Sequence, residues 1–223
     1  MNPAVSARPA GRELLLSLKE AAGLPGPPLR LVIGQPPVAL LRVVATQAGR
    51  IQAGDIRYLT EWRNRFVTSF LTEFTATEAR TEKWLAEIVG PADSKILFMV
   101  DAPDGRTFGY MGLAFIDWAK GCGEADAIVR GGDAPPGTMR QALVALLLWA
   151  RHSLGLSRLG VRVRSDNPAL NFYQKLGFVE NFRTPLLRTG RNGETVWVED
   201  PGLKSGDPAL VHMAWNGQTG ETK

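Results

Sequence analysis

The chain of 223 residues contains one cysteine, two histidines and no long apolar run. A single sulfur, at Cys122, excludes an internal disulfide, and with His152 and His212 distant in sequence no metal-ligand spacing exists, so no metal site is expected. Cys122 stands in Gly-Cys-Gly, a turn pattern, and nothing beside it marks a nucleophile. The longest uncharged apolar stretch, residues 142–150, falls well short of the roughly 20 residues that a bilayer requires. The first residues lack a basic start followed by an apolar core, so the expectation is a cytoplasmic protein without a membrane partner. Basic runs and aromatic-studded basic motifs are missing too, although the formal charge is +4. Residues 1–66 hold nine of the 26 Lys/Arg and four of the 22 Asp/Glu, which leaves the remainder nearly neutral. No nucleic-acid partner is expected, whereas a modest positive field suits a small phosphorylated ligand.

The residues present describe a globular chain, 44% hydrophobic and 22% charged, long enough for one domain of ordinary size with an addition. Three divisions are expected: an N-terminal appendage over 1–36, a main domain over 37–216 and a tail over 217–223. Within the appendage, residues 13–22 have the spacing of an amphipathic helix. Residues 38–45 read as a strand, and 31–33 are open between strand and loop because Pro36-Pro37 follows. Ile56, Leu59 and Trp62 or Arg63 mark one side of a helix over 53–66, and Trp84, Leu85 and Ile88 mark another over 77–89, stopped by Gly90-Pro91. Strands at 96–100, 107–116 and 124–130 form a meander joined by glycine turns. After Gly137 comes a long helix to about Leu154, apolar over much of its circumference and therefore covered on several sides. Leu159, Val161 and Val163 then alternate with Gly160, Arg162 and Arg164 as a strand. A helix joining two strands of one sheet implies a parallel pair with a right-handed crossover. Strands at 178–187, 195–199 and 210–215 complete the chain.

The most informative stretch is Ser165 to Phe178. Asn167 or Asp166 can cap a helix start, and Pro168 suits the first helical position. Ala169, Phe172, Tyr173 and Leu176 form one apolar stripe, Gly177 supplies a left-handed stop, and Phe178 can fold back onto Tyr173. Tyr173 alone brings a hydroxyl to that stripe. It is either a packed tyrosine with a satisfied O–H or a reacting group.

The order strand, Gly/Pro turn, long helix, strand, short helix ending in Leu-Gly-Phe resembles the GNAT superfamily of acetyl-CoA-dependent N-acetyltransferases. The spacing from Ala169 through Tyr173 to Gly177 and Phe178 matches that superfamily's Ala-x-x-x-Tyr-x-x-x-Gly-Phe pattern, with Asn167 one residue nearer to Ala169 than the pattern has it. Glu61-Trp62-Arg63-Asn64, with Trp84, is similar to the branch holding ribosomal-protein N-terminal acetyltransferases and acetyltransferases of nucleotide-linked amino sugars. The resemblance implies an α/β (α+β) fold with a central mixed sheet of about six or seven strands flanked by helices. It also implies acetyl-CoA as co-substrate, no metal, and an acceptor that is a small-molecule amine such as a nucleotide-linked amino sugar, with a protein N-terminus as the alternative. A homodimer is compatible with it, and a non-catalytic acyl-CoA-binding module is the alternative from another class.

The chemistry fits that ligand. A glycine turn opening a helix offers N–H groups and a favourable dipole end to a pyrophosphate, which assigns Gly137, Thr138, Met139 and Arg140 to it. Aligned on Gly137, the turn departs from the family's Gln/Arg-x-x-Gly-x-Gly/Ala in having Ala134 first and Met139 last. Acetyl transfer needs an unprotonated amine, a held oxyanion and a proton for the thiolate. By resemblance Tyr173 is the general acid, and the backbone of Ile128, Val129 and Arg130 lines the acetyl group. Glu124 is the first candidate for the base, with Asp126 on the same strand face, and both remain readable as plain strand-end carboxylates. Asn167 is a cap or a ligand contact, and His152 and His212 are expected to be packed or solvated.

Overall fold

The computed structural model describes residues 7–26, 30–191, 193–204 and 208–217. In chain order these form α1 (Ala7–Ala21), β1 (Arg30–Ile33), β2 (Ala39–Val43), α2 (Ala53–Arg65), β3 (Thr72–Glu73), α3 (Glu78–Trp84), β4 (Ile96–Asp101), β5 (Thr107–Asp117), β6 (Cys122–Arg130), α4 (Thr138–His152), β7 (Arg158–Arg164), α5 (Ala169–Lys175), β8 (Phe178–Arg191), β9 (Glu194–Glu199) and β10 (Ala209–Trp215). Strands and helices intermingle as an α/β fold requires. The ten strands exceed the six or seven that the resemblance implies: the residue pattern itself accounts for eight, and residues 31–33 and 72–73 add two more. The expected helix over 77–89 is divided: α3 gives way to one wide turn, Leu85–Val89, closed by Gly90 N–H donating to the Leu85 carbonyl at 2.8 Å. Thr77 caps α3 without a capping box, its hydroxyl accepting from Arg80 N–H at 3.2 Å.

The chain divides into two compact units, Met1–Thr60 with Thr77–Leu159, and Glu61–Ala76 with Gly160–Lys223. In the first, β1, β2, β4, β5 and β6 lie in that order, each antiparallel to its neighbour. Helix α4 rests on β1 and β2. Its apolar circumference is covered as expected: Ala142, Leu143, Leu146, Leu147 and Ala150 are wholly buried, and Trp149 meets Phe98 edge to face at 5.6 Å. Helix α1, in the segment read as an appendage, closes the end of α4. A Cβ on Gly11 would come within 2.2 Å of the Leu154 carbonyl oxygen, so only glycine permits this approach. Leu15 of α1 is fully buried, and Lys19 Nζ donates to the carbonyls of Val89 (2.5 Å), Ala92 (2.6 Å) and Lys95 (3.2 Å). Burial pushes the Lys19 ammonium down to about 8, against the opposing attraction of Asp93. A second buried polar group ties α2 to the strands. Arg42 on β2 donates twice to Asp55 on α2, at 2.9 Å each, and to Asp101 on β4 at 2.7 Å, while Thr107 donates to the other oxygen of Asp101.

In the second unit the order is β7, β10, β8, β9, β3, again antiparallel throughout. Between His212 and Met213 the register of β10 on β8 shifts, with Asn181 as the extra residue of β8. The strands therefore present two distinct faces. Phe178 and Trp215, paired in register, lie on the face that carries α5, where Trp215 Nε1 donates to the Leu176 carbonyl at 3.1 Å. His212, Phe182 and Arg162 stand in one row on the other face.

Candidate active site

In the first unit the candidate groups follow one another along β6 and into α4. Glu124 pairs in register with Ala114 and Asp126 with Gly112, so both carboxylates project from one face, half-buried. The alternation then breaks. Tyr110 pairs with Val129 while Gly112 pairs with Asp126, so Met111 opposes two residues, and Ala127 takes a left-handed φ of +52°. This is a β-bulge built on alanine, a conformation that costs about 1–2 kcal/mol without glycine's freedom. It re-aims Ile128, Val129 and Arg130 relative to the carboxylates before them. Asp126 has a counter-ion that no sequence spacing announces: Lys95 Nζ lies 3.6 Å from its Oδ2, with Trp84 6.0 Å from the same ammonium.

Beyond β6 the turn is braced from both sides. Gly131 and Gly132 N–H donate to the Phe108 carbonyl, and the Arg130 guanidinium donates to the Ala134 carbonyl at 3.1 Å. Gly137 ends the turn with φ +83° and a Cβ position clear of neighbours to 3.9 Å, so glycine is required here for conformation and not for space. Thr138 and Met139 are buried and Arg140 is half-buried. The bulk of Met139, the departure from the small residue expected there, is thus accommodated in the interior. Thr138 N–H donates to the Pro135 carbonyl at 3.2 Å and Gln141 N–H to the Gly137 carbonyl at 3.0 Å, and the positive end of the α4 dipole favours an anion at this turn. Gly137, Thr138, Met139 and Arg140 are therefore contiguous in a turn whose backbone could hold a pyrophosphate.

The second unit carries Tyr173 and Asn167. Helix α5 begins at Ala169, one residue later than expected, with Pro168 as its cap residue. The Asn167 side chain accepts from Ala169 N–H at 2.9 Å and donates to the Ser69 carbonyl at 3.3 Å. Both ends of this amide are engaged within the unit, one residue ahead of the cap residue Pro168. Tyr173 is 6% exposed and packs edge to face against Phe178 at 5.7 Å and Phe172 at 5.5 Å. Gly177 stops the helix with φ +82°. The fold-back of Phe178 is thus present, and it fixes the ring that carries the hydroxyl.

The Glu61–Asn64 motif serves the chain itself. Trp62 is buried, and Arg63 lies between the rings of Phe70 (3.9 Å) and Phe74 (4.5 Å) while donating to the Thr72 carbonyl. Asn64 pairs with the backbone of Ala76 in both directions, at 3.0 and 2.7 Å, as a strand neighbour would. His212 is packed: its Nε2 meets Glu199 at 2.7 Å and its ring stacks on Phe182 at 4.2 Å. Burial raises the Glu199 carboxyl, but hydrogen bonds from His212 and Thr184 and the charge of Arg162 leave it lowered overall. Among the described residues no group of His, Cys, Asp and Glu is arranged to hold a metal ion, and no helix is long and apolar enough to cross a membrane.

The model of the acetyltransferase (GNAT) domain family matches residues 50–179. The chain belongs to that family. As a GNAT protein it is an acetyl-CoA-dependent N-acetyltransferase by class. Solved structures show the same fold at low identity. A spermidine N-acetyltransferase from Vibrio cholerae in complex with CoA and spermine is 18% identical with a TM-score of 0.59, over 79% of this chain and 94% of that one. A chimera of the Vibrio cholerae spermidine enzyme and hSSAT is 18% identical with a TM-score of 0.59, over 80% and 95%. A GCN5-related N-acetyltransferase from Brucella melitensis is 19% identical with a TM-score of 0.59, over 84% and 79%. No curated protein matches the chain.

Proposed function

We propose that this GNAT protein transfers the acetyl group of acetyl-CoA to the primary amine of a small molecule, directly and without a covalent acetyl-enzyme. The arrangement along β6 and α4 carries the reading: a strand with Glu124 on one face leads, through a turn ending at the exposed, left-handed Gly137, into a buried helix. The turn from Gly137 to Arg140 takes the pyrophosphate, and Ile128, Val129 and Arg130 supply backbone beside the acetyl group. Glu124 removes the proton of the acceptor ammonium, directly or through water. The amine then attacks the thioester carbonyl, the oxyanion is held by strand N–H, and Tyr173 protonates the departing thiolate. Asn167 starts the helix that bears Tyr173 and contacts no ligand in this reading.

A nucleotide-linked amino sugar is the first acceptor to test, on the Glu61–Asn64 resemblance. Arg63 and Asn64 engage their own chain, so that motif acts on the acceptor only through the loop it holds. Polyamines are the second class, because structural neighbours are spermidine acetyltransferases, and a ribosomal-protein N-terminus is the third. Thiol release from acetyl-CoA is measured with nucleotide amino sugars, polyamines and short peptides in parallel. Release with one class names the acceptor, whereas binding of acetyl-CoA without release with any of them marks an acyl-CoA-binding module. Tyr173→Phe should keep acetyl-CoA affinity and lower turnover by about 10²-fold or more, and unchanged turnover would remove Tyr173 from the mechanism.

A further inference from the structure

We infer that Arg164 is a positioning residue for Tyr173, acting through the turn that starts α5, an inference that rests on the general-acid reading above. Arg164 ends β7 and is 7% exposed. Its guanidinium donates to both oxygens of Asp166, at 3.0 and 2.7 Å, and to Glu73 at 3.3 Å, and it lies over the Trp197 ring at 4.4 Å. Trp197 Nε1 donates to the same Glu73 oxygen at 2.7 Å. One side chain thus joins the end of β7, the turn before α5, the segment containing β3, and β9.

The guanidinium is buried while the Asp166 and Glu73 side chains are 46% and 20% exposed, so the cost of desolvating the cation offsets much of its attraction to carboxylates that water still reaches, and stability alone gives little reason for an arginine here. What the pair does supply is direction. Asn167 N–H donates to the Arg164 carbonyl at 3.1 Å, closing a turn across Ser165 and Asp166, and the guanidinium grips Asp166 inside that turn. Ser165 is fixed at the same point: its hydroxyl accepts from Ala209 N–H at 2.9 Å and its N–H donates to the Ala209 carbonyl at 2.8 Å. The next three residues enter α5, which is only seven residues long. A helix this short takes its rotation from its two ends, the entry held through Arg164 and the exit held by Trp215 and Phe178. The outer atoms of a helix side chain lie about 5–6 Å from the axis, so a turn of about 10° at the entry moves the Tyr173 hydroxyl by about 1 Å. Displacements of that size cost catalysis on the order of 100-fold.

The test is a double-mutant cycle on kcat with Arg164→Met and Tyr173→Phe, singly and together, with acetyl-CoA affinity and melting temperature measured for each. Arg164→Met should lower kcat by about 10- to 100-fold at unchanged acetyl-CoA affinity, and should cost nothing further when Tyr173 is already Phe. Equal losses of kcat in both backgrounds would show a general structural effect and overturn the inference, as would unchanged kcat in Arg164→Met. Unchanged kcat in Tyr173→Phe would overturn the general-acid reading itself and the inference with it. If Arg164→Met does not fold, Asp166→Asn enters the same cycle. It keeps the shape of the turn and weakens the grip, and is expected to give a smaller loss of kcat that likewise vanishes in the Tyr173→Phe background.

Discussion

Two carboxylates share one face of β6, and separate replacement of Glu124 by Gln and Asp126 by Asn decides which one removes the proton. Asp126 is paired with Lys95 at 3.6 Å, with the two side chains 40% and 25% exposed. At that exposure the pair is worth under about 1 kcal/mol, so its loss in Asp126→Asn changes kcat/KM by less than about fivefold. Its geometry matters more than its strength, because it draws Oδ2 toward Lys95. Glu124→Gln removes the base itself, an effect of about 10²- to 10⁴-fold, or roughly 3–5 kcal/mol of barrier. The assay is kcat/KM from thiol release over roughly pH 6 to 9, with the acceptor that the screen selects. Glu124→Gln should lose the rate across that whole range, and Asp126→Asn should keep it within about fivefold. The reverse ranking, with Asp126→Asn falling about 100-fold and Glu124→Gln near wild type, would refute the assignment.

Gly137→Ala places a side chain at φ +83° where space is open, so about 1 kcal/mol of strain falls on the turn. KM for acetyl-CoA should rise while the melting temperature drops by only about 2–4 °C. Arg42→Met leaves Asp55 and Asp101 buried without their cation, and urea unfolding should show a loss of about 3–5 kcal/mol, partly restored by adding Asp101→Asn. Lys19 titrates at about 8 in the folded chain against an ordinary lysine value of 10.5. The unfolded chain therefore binds more protons between those values, and stability should rise with pH across that window. The rise should shrink in Lys19→Met, and an identical pH dependence in the two proteins would exclude Lys19 as its source.

Most elements announce themselves through local rules. The stop at Gly177, the fold-back of Phe178 and the buried faces of α2 and α4 all follow from spacing plus one glycine, because each depends on residues within a turn or two. The bulge at Ala127 was invisible, since alanine carries no mark of a left-handed φ and the cause lies in the register of β5 on β6. Lys95 beside Asp126, and Arg164 with Glu73 and Trp197, were equally illegible. These partners stand on different elements, and only the fold brings them together. The Glu61–Asn64 motif was visible as a pattern but not as a device, because what Arg63 and Asn64 hold lies 9 and 12 residues further on.

That device gives the segment after α2 a particular independence. The backbone of Ala76 is met in both directions by the Asn64 amide, and the chain between them is stitched to Arg63 and β9 at its middle. Its two ends are thereby pinned together by a side chain, whatever length runs between them. Such a segment is a cassette whose closure is separate from its contents: residues other than those that hold Arg63, Asn167 and Arg164 can be exchanged within it while its ends stay fixed.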